Sequence, residues 1–182
     1  MTSIEGPRVI VLNGGSSSGK SRLARELQKV LPDPWLSLSV DDLVDAMPPA
    51  LVDGGAGIGF GDQGEVSVGD GFRTLETAWM AGVAAMVCAG ARVVLDDVFL
   101  SGAQSQARVR AQLDGLNVLW VGVRCAPEIA AARELARGDR TAGMAELQAE
   151  IVHEGVYYDL EVDTGKTDSL ECARAVAARV TF

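Results

Sequence analysis

The sequence predicts an α/β fold in which a five-stranded, mostly parallel sheet lies between two layers of helices. Short apolar runs of strand length alternate with longer segments of helical period along the 182 residues, and such alternation is typical of βαβ units. The runs at 91–99 and 117–125 are nearly continuous in apolar residues, as expected for strands that are buried on both faces. The chain length fits one compact domain that spans residues 1–182.

The N-terminal part predicts two strands, each followed by a helical segment. RVIVLNG (8–14) has the composition of a buried strand and leads into a glycine-rich turn. Residues 21–31 follow with apolar side chains at helical spacing. WLSLSVD (35–41) alternates apolar and polar residues, as a strand with one buried face does. The helical turn after it is expected to end at Pro48 and Pro49, because proline cannot continue a helix.

Residues 53–71, DGGAGIGFGDQGEVSVGDG, interrupt the alternation with eight glycines among nineteen residues. The pieces IGF and EVSV are expected to pair as a small hairpin with DQG as its turn. We interpret this segment as a surface insertion that lies near a site or covers one.

The rest of the chain returns to the alternation of strands and helices. Gly90 ends a long helical segment, Ser101 is a candidate helix cap, and Pro127 suits a first helical turn. The predicted strands are 91–99, 117–125 and 159–164, and the predicted helices are 72–90, 101–115, 127–138, 143–155 and 169–180.

Charge and composition exclude several classes of function. The net charge of −9 repels a polyanion, so we expect no nucleic-acid partner. No apolar run reaches the ~20 residues of a membrane span, and MTSIEGPR does not resemble a secretory signal. We therefore expect a cytoplasmic protein. The three cysteines form no CxxC pair, which indicates neither a zinc site nor a redox pair.

A phosphate-binding loop follows the first predicted strand. Gly14, four residues, and then Gly19, Lys20 and Ser21 match G-x-x-x-x-G-K-[ST], with a strand before and a helix after. Glycines let backbone N–H groups converge on phosphate oxygens, Lys20 reaches the β- and γ-phosphates, and the Ser21 hydroxyl takes a Mg²⁺ position. The predicted nucleotide-binding residues are Gly14, Gly15, Ser16, Ser17, Ser18, Gly19, Lys20, Ser21 and Arg22.

Three aspartates at predicted strand ends lie on the same rim as this loop, where ligands of such sheets bind. Asp41 is a candidate general base for an acceptor hydroxyl, although it can also be read as a helix cap. Asp42 is expected to point elsewhere and to cap the short helix. Asp96 and Asp97 follow VVL, and either one suits the Mg²⁺ site, since alternation does not choose between them at a strand end.

Arginines in RELARGDR are candidates for stabilising the charge of a transferred phosphoryl group. Arg133 and Arg137 share a helix face, and Arg140 lies in a glycine-bracketed lid at about 137–143. The alternative is a surface helix in which Glu134 and Asp139 pair with these arginines. Outside this group, the single histidine, His153, is expected to be structural. Trp79 is expected to lie in the core, and its alternative is a place in the wall of an acceptor pocket beside the glycine-rich segment.

Several blocks of the sequence together resemble the chloramphenicol phosphotransferase family. They are VLNGGSSSGKS, PWLSLSVDDLVDAMP, FRTLETAW, VLDDVF, LWVGVRC, ELARGDRTAGMA and VHEGVYYDLEVDT, in order over nearly the whole chain. The resemblance implies a P-loop kinase fold, ATP and Mg²⁺, and phosphorylation of the primary hydroxyl of chloramphenicol, which confers antibiotic resistance. It implies that Asp41 is the base and that Arg133, Arg137 and Arg140 lie in or beside the lid.

The acceptor remains open at this stage, because the glycine-rich segment 53–71 departs from the composition expected of the family. A kinase for another hydroxyl metabolite, such as a nucleoside, a sugar or a nucleotide-sugar, is the first alternative. A nucleotide-binding protein without transfer activity is the second, although it requires neither Asp41 nor the lid arginines.

Overall fold

The computed structural model of the chain describes residues 6–52, 55–62, 64–137 and 143–180. Its strands are β1 (Val9–Asn13), β2 (Leu36–Ser39), β3 (Ile58–Phe60), β4 (Val66–Val68), β5 (Val93–Asp97), β6 (Val118–Arg124) and β7 (Leu160–Asp163). Its helices are α1 (Lys20–Val30), α2 (Val40–Asp45), α3 (Pro49–Val52), α4 (Asp70–Cys88), α5 (Ala103–Gln112), α6 (Pro127–Arg137), α7 (Met144–Ile151) and α8 (Ser169–Ala177). Within these described residues, none of the helices combines the length and the apolar composition that a membrane crossing requires.

Five strands form one parallel sheet in the order β2-β5-β1-β6-β7, with helices on both faces. The predicted three-layer α/β fold is thereby confirmed. Asn13 at the end of β1 lies opposite Asp97 at the end of β5, and Ser39 at the end of β2 lies opposite Asp96. The carboxyl ends of three adjacent strands therefore meet at one edge, the edge at which ligands bind in open α/β sheets.

The side chains of β5 alternate between two apolar cores. Val94 packs in the core that α1 and α8 cover, whereas Val93 and Leu95 pack in the core that α4 and α5 cover. Successive side chains of a strand point to opposite faces, and the strand continues through the two aspartates. Asp96 therefore faces the α1 layer, and Asp97 faces the layer of α4 and α5.

The glycine-rich segment forms the predicted hairpin. β3 and β4 pair antiparallel, with Ile58 opposite Val68, and Ile58 packs with Phe72 of α4 in a third, smaller apolar cluster. The hairpin turn lies against the start of α7, since a Cβ atom on Gly64 would lie 2.3 Å from the backbone N of Met144. The hairpin therefore contacts α4 through its first strand and α7 through its turn.

Several predicted boundaries shift by a few residues, and two predictions are wrong for a local reason. The second strand ends at Ser39, not at residue 41, because Ser39 and Asp42 form a capping box that starts α2 at once. Asp41 thus lies in the first turn of a helix. Ser101 does not cap α5, because the helix begins at Ala103 after Gly102, whose φ of 50° suits glycine.

Candidate active site

The loop between β1 and α1 has the geometry of a phosphate cradle. Ser17 and Gly19 both have positive φ, 57° and 91°, which turns successive backbone N–H groups toward one concavity. The loop also has no room for side chains at its start. A Cβ atom on Gly14 would lie 2.6 Å from the carbonyl oxygen of Val123, and one on Gly15 would lie 3.1 Å from Gln148.

Two serine hydroxyls of this loop lack a partner within the protein. The Oγ atoms of Ser17 and Ser18 are buried and make no hydrogen bond among the described residues. A buried hydroxyl without a partner costs free energy, on the order of 1–3 kcal/mol. Such a cost is expected where a ligand supplies the missing partner. The loop therefore fits a bound phosphate group.

Lys20 and Ser21 connect the loop to β5. Lys20 is buried, its Nζ donates a hydrogen bond to the carbonyl oxygen of Gly15 at 2.9 Å, and it lies 3.7 Å from Asp96 Oδ1. The Ser21 hydroxyl donates to Asp96 Oδ2 at 2.8 Å. Burial raises the pKa of Asp96, although the charge of Lys20 and the Ser21 hydrogen bond act in the opposite direction. A hydroxyl and a carboxylate side by side are oxygen ligands of the kind that Mg²⁺ prefers.

Asp97 has a different environment from Asp96. Its Oδ1 accepts a hydrogen bond from the backbone N of Val98 at 2.7 Å. Burial, with smaller contributions from the carboxylates of Glu76 and Asp96, raises the pKa of Asp97 to about 6. Of the two aspartates that the sequence left equivalent, Asp96 contacts Ser21. No group of three or more His, Cys, Asp or Glu that could hold a metal occurs among the described residues, so phosphate oxygens and water would complete the ligands of a cation here.

Asp41 lies on the wall of the same cavity as Lys20 and Ser21, although it sits in α2 and not at a strand end. Its carboxylate is near enough to Asp96 to contribute to the raised pKa of that residue. Asp42, by contrast, accepts a hydrogen bond from the backbone N of Ser39 at 2.7 Å and completes the capping box. The predicted division is therefore present: Asp42 caps the helix, and Asp41 faces the cavity.

The two described arginines of the candidate set lie at the nucleotide end. Arg133 donates hydrogen bonds to Thr164, at 2.8 Å to its carbonyl oxygen and 3.2 Å to its hydroxyl. Arg137 and Arg22 line the cavity as well. Glu134 is buried and accepts hydrogen bonds from the first backbone N–H groups of α7, at 3.0 and 2.9 Å. Arg140, Asp139 and most of the expected lid lie outside the described residues.

Sequence reasoning missed two side chains that hold the phosphate loop. Gln148 of α7 accepts a hydrogen bond from the backbone N of Ser16 at 2.8 Å, and the hydroxyl of Thr164 donates to the carbonyl oxygen of Ser18. Thr164 follows β7, so the rule that ligands bind at carboxyl ends of strands would have pointed to it. No local pattern marks Gln148.

A hydrogen-bonded network supports the strand that carries the loop. Asn13 donates to the hydroxyl of Tyr158 at 2.6 Å and to the carbonyl oxygen of Val152 at 2.8 Å, and Tyr158 pairs with Nδ1 of His153 at 2.6 Å. Burial lowers the pKa of His153 to about 4, so its neutral Nδ1 accepts from the tyrosine. Neither His153 nor Trp79 lines the cavity, as expected.

The loop opens into a cavity of about 630 Å³. The part of its lining that α2, the hairpin, α4, the segment after β5 and α5 contribute, called the far end here, is apolar except for a few polar or charged side chains. The lining at this end comprises Val40, Val44, Ile58, Phe60, Val66, Val68, Phe72, Arg73, Glu76, Asp97, Val98, Phe99, Leu100, Ser105 and Val109. The cavity therefore has a phosphate-binding end and an apolar end, with Asp41 on its wall.

Known proteins resemble this chain in both sequence and fold. A "Putative O-phosphotransferase" of Mycobacterium tuberculosis (strain H37Rv) is 30% identical over 180 residues, covering 92% of this chain and 79% of its own. Shikimate kinase from Acinetobacter baumannii superposes with a TM-score of 0.61 at 19% identity, covering 95% and 91% of the two chains. The adenylylsulfate kinase (APS kinase) of M. tuberculosis superposes with a TM-score of 0.62 at 15% identity, covering 98% and 99%. These likenesses establish the P-loop kinase fold.

The family assignment rests on a match over nearly the whole chain. Residues 7–181 match the model of the family described as "Chloramphenicol phosphotransferase-like protein", as the sequence blocks predict. The chain thus belongs to the chloramphenicol phosphotransferase-like family, and it is a phosphotransferase of the P-loop kinase fold.

Proposed function

We propose that this phosphotransferase moves the γ-phosphoryl group of ATP, in the presence of Mg²⁺, to a hydroxyl group of a small molecule, and that the primary hydroxyl of chloramphenicol is the acceptor. Modification of the drug would then confer resistance to it. One observation carries the proposal: the phosphate loop and the carboxylate of Asp41 line a single cavity of about 630 Å³.

The residues from Gly14 to Ser21, with Arg22 beside them, hold the triphosphate. The unpartnered hydroxyls of Ser17 and Ser18, the loop N–H groups and the start of α1 provide donors for its oxygens. Lys20 neutralises charge that builds up on the β- and γ-phosphates. Ser21 and Asp96 would hold Mg²⁺, which would neutralise phosphate charge.

Asp41 is the proposed general base. Its carboxylate takes the proton of the acceptor hydroxyl while the hydroxyl oxygen bonds to the γ-phosphorus and the bond to the β–γ bridging oxygen breaks. Arg133 and Arg137 add positive charge at the nucleotide end. Arg140, in the segment at about 137–143 that the sequence predicts as a lid, is proposed to add to this charge.

The composition of the far end favours chloramphenicol over the alternative acceptors. The hairpin and α4 contribute apolar side chains there, among them Ile58, Phe60 and Phe72. An aromatic drug buries apolar area against such a wall, whereas a sugar or a nucleotide-sugar needs many polar partners. The insertion 53–71 is therefore proposed as the wall of the acceptor pocket.

The test is direct. The protein is incubated with Mg-ATP and chloramphenicol, and the products are analysed by mass spectrometry, with Lys20→Ala as the inactive control. Phosphorylated chloramphenicol formed by the wild type and not by the variant supports the proposal. Rapid phosphorylation of a nucleoside or a sugar, with none of chloramphenicol, would favour the alternative kinase. ATP binding without any product from a panel of alcohols would favour a binding protein.

A further inference from the structure

The two adjacent aspartates of β5 lie on opposite faces of the sheet and have different neighbours. Asp96 faces the α1 layer, where it contacts Ser21. Asp97 lines the cavity from the opposite face of the sheet, on the side of α4 and α5. Glu76 of α4 is close enough to interact with it electrostatically, and Ser105 of α5 lines the cavity in the same region.

No protein side chain donates a hydrogen bond to Asp97 within the ranges that the structure describes. Its one recorded hydrogen bond comes from the backbone N of Val98 to Oδ1. The nearby cations are engaged elsewhere. Arg73 pairs with both oxygens of Glu76, at 3.1 and 2.8 Å, and Arg108 donates to the hydroxyl of Ser105 at 2.9 Å.

A carboxylate can accept about four hydrogen bonds, and leaving most of them unmade at the half-buried carboxylate of Asp97 costs free energy. The open oxygen of Asp97 therefore suits a donor that a ligand brings into the cavity. Besides Arg73, Glu76 and Ser105, the lining on this side includes the apolar side chains of Phe99, Leu100 and Val109. A ligand with an apolar body fits there.

We propose that Asp97 determines acceptor specificity by accepting a hydrogen bond from a second donor group of the acceptor, a hydroxyl or an N–H, separate from the hydroxyl that is phosphorylated. The acceptor class is thus an alcohol with an apolar body and at least one further hydrogen-bond donor. This inference rests on the proposed function, in which Asp41 serves the reacting hydroxyl.

The test compares acceptors that differ only in the second donor. Suitable pairs are chloramphenicol with its analogue lacking the secondary hydroxyl, and phenylalaninol with phenylpropanol. For a pair that is phosphorylated, we expect the wild type to favour the donor-bearing member by at least ~10-fold in kcat/KM, because a hydrogen bond to a charged group is lost in the other. Asp97→Asn is expected to reduce this ratio below ~3-fold and to leave KM for ATP unchanged.

Asp114→Asn, an exposed change at the end of α5, is the matched control and should keep the wild-type ratio. A ratio near one for both pairs in the wild type, or an equal loss on both members of each pair in Asp97→Asn, overturns the inference while the proposed function stands. Absence of transfer to every alcohol by the wild type overturns both. Should Asp97→Asn fail to fold, calorimetry of the wild type with each pair and a non-hydrolysable ATP analogue decides, since equal affinities overturn the inference.

Discussion

The hydroxyl of Ser21 donates a hydrogen bond to the carboxylate of Asp96 at 2.8 Å, and this contact joins the first turn of α1 to the end of β5. The two residues are 75 positions apart in the sequence. The contact brings the last residue of the phosphate motif to one member of the acidic pair, and it separates the roles of Asp96 and Asp97.

This contact predicts the effect of Asp96→Asn. The variant keeps the shape of the side chain and removes its charge, so we expect turnover to fall by at least ~10²-fold and the Mg²⁺ concentration for half-maximal rate to rise. Initial rates over a magnesium titration measure both effects, with Asp114→Asn as control. An unchanged magnesium requirement would remove Asp96 from the metal site.

Asp41 and its neighbour Asp42 form a matched pair of variants. Asp41→Asn should leave ATP affinity nearly unchanged and lower turnover by at least ~10²-fold, because it removes the proposed base. Asp42→Ala should lower the free energy of unfolding by about 1 kcal/mol, since it removes half of a capping box, and should keep turnover within a few-fold. Calorimetry, steady-state rates and urea unfolding measure these quantities. Comparable turnover in Asp41→Asn and the wild type would exclude Asp41 as the base.

The contacts of Thr164 predict that its substitution mainly weakens the binding of ATP. Its hydroxyl connects the carbonyl oxygen of Ser18 with the guanidinium of Arg133. Thr164→Val keeps the shape and removes both hydrogen bonds, so we expect KM for ATP to rise about tenfold, the equivalent of one or two hydrogen bonds, with a smaller change in kcat. Thr167→Val, at a half-buried position that does not line the cavity, is the control. A fall in kcat at unchanged KM would contradict this role.

The lowered pKa of His153 predicts that the stability of the folded protein depends on pH. Its pKa is about 4 in the folded protein, against 6.5 as the usual value, and burial is the main cause. The unfolded chain therefore binds a proton as the pH falls below 6.5, whereas the folded protein does so only near pH 4, and stability is lost across this window. Urea unfolding between pH 7 and 4 should show a steeper decline for the wild type than for His153→Gln. Parallel declines would show that His153 does not contribute.

The order of strands and helices was predictable because it depends on local patterns. Apolar runs and helical spacing indicated the strands and helices that form the layers, and the phosphate motif indicated the turn after the first strand. The alternation of apolar and polar residues placed Asp41 at the end of a strand, although it lies in the first turn of α2. The capping box of Ser39 and Asp42 ends β2 earlier than this alternation suggests.

Two relationships between distant segments could not be predicted from the sequence. Gln148 meets the phosphate loop from 132 positions away, and nothing in its own helix marks it. The separation of Asp96 from Asp97 depends on which helices cover each face of β5, and that is decided by the packing of the whole sheet.

Helix α7 touches both halves of the cavity. Its Gln148 holds the backbone of Ser16 in the phosphate loop, while its first residue, Met144, abuts the hairpin turn at Gly64. One helix of eight residues thus contacts both the loop proposed to bind the donor nucleotide and the hairpin proposed to wall the acceptor pocket. The relative placement of the two proposed substrate sites therefore depends on how α7 packs.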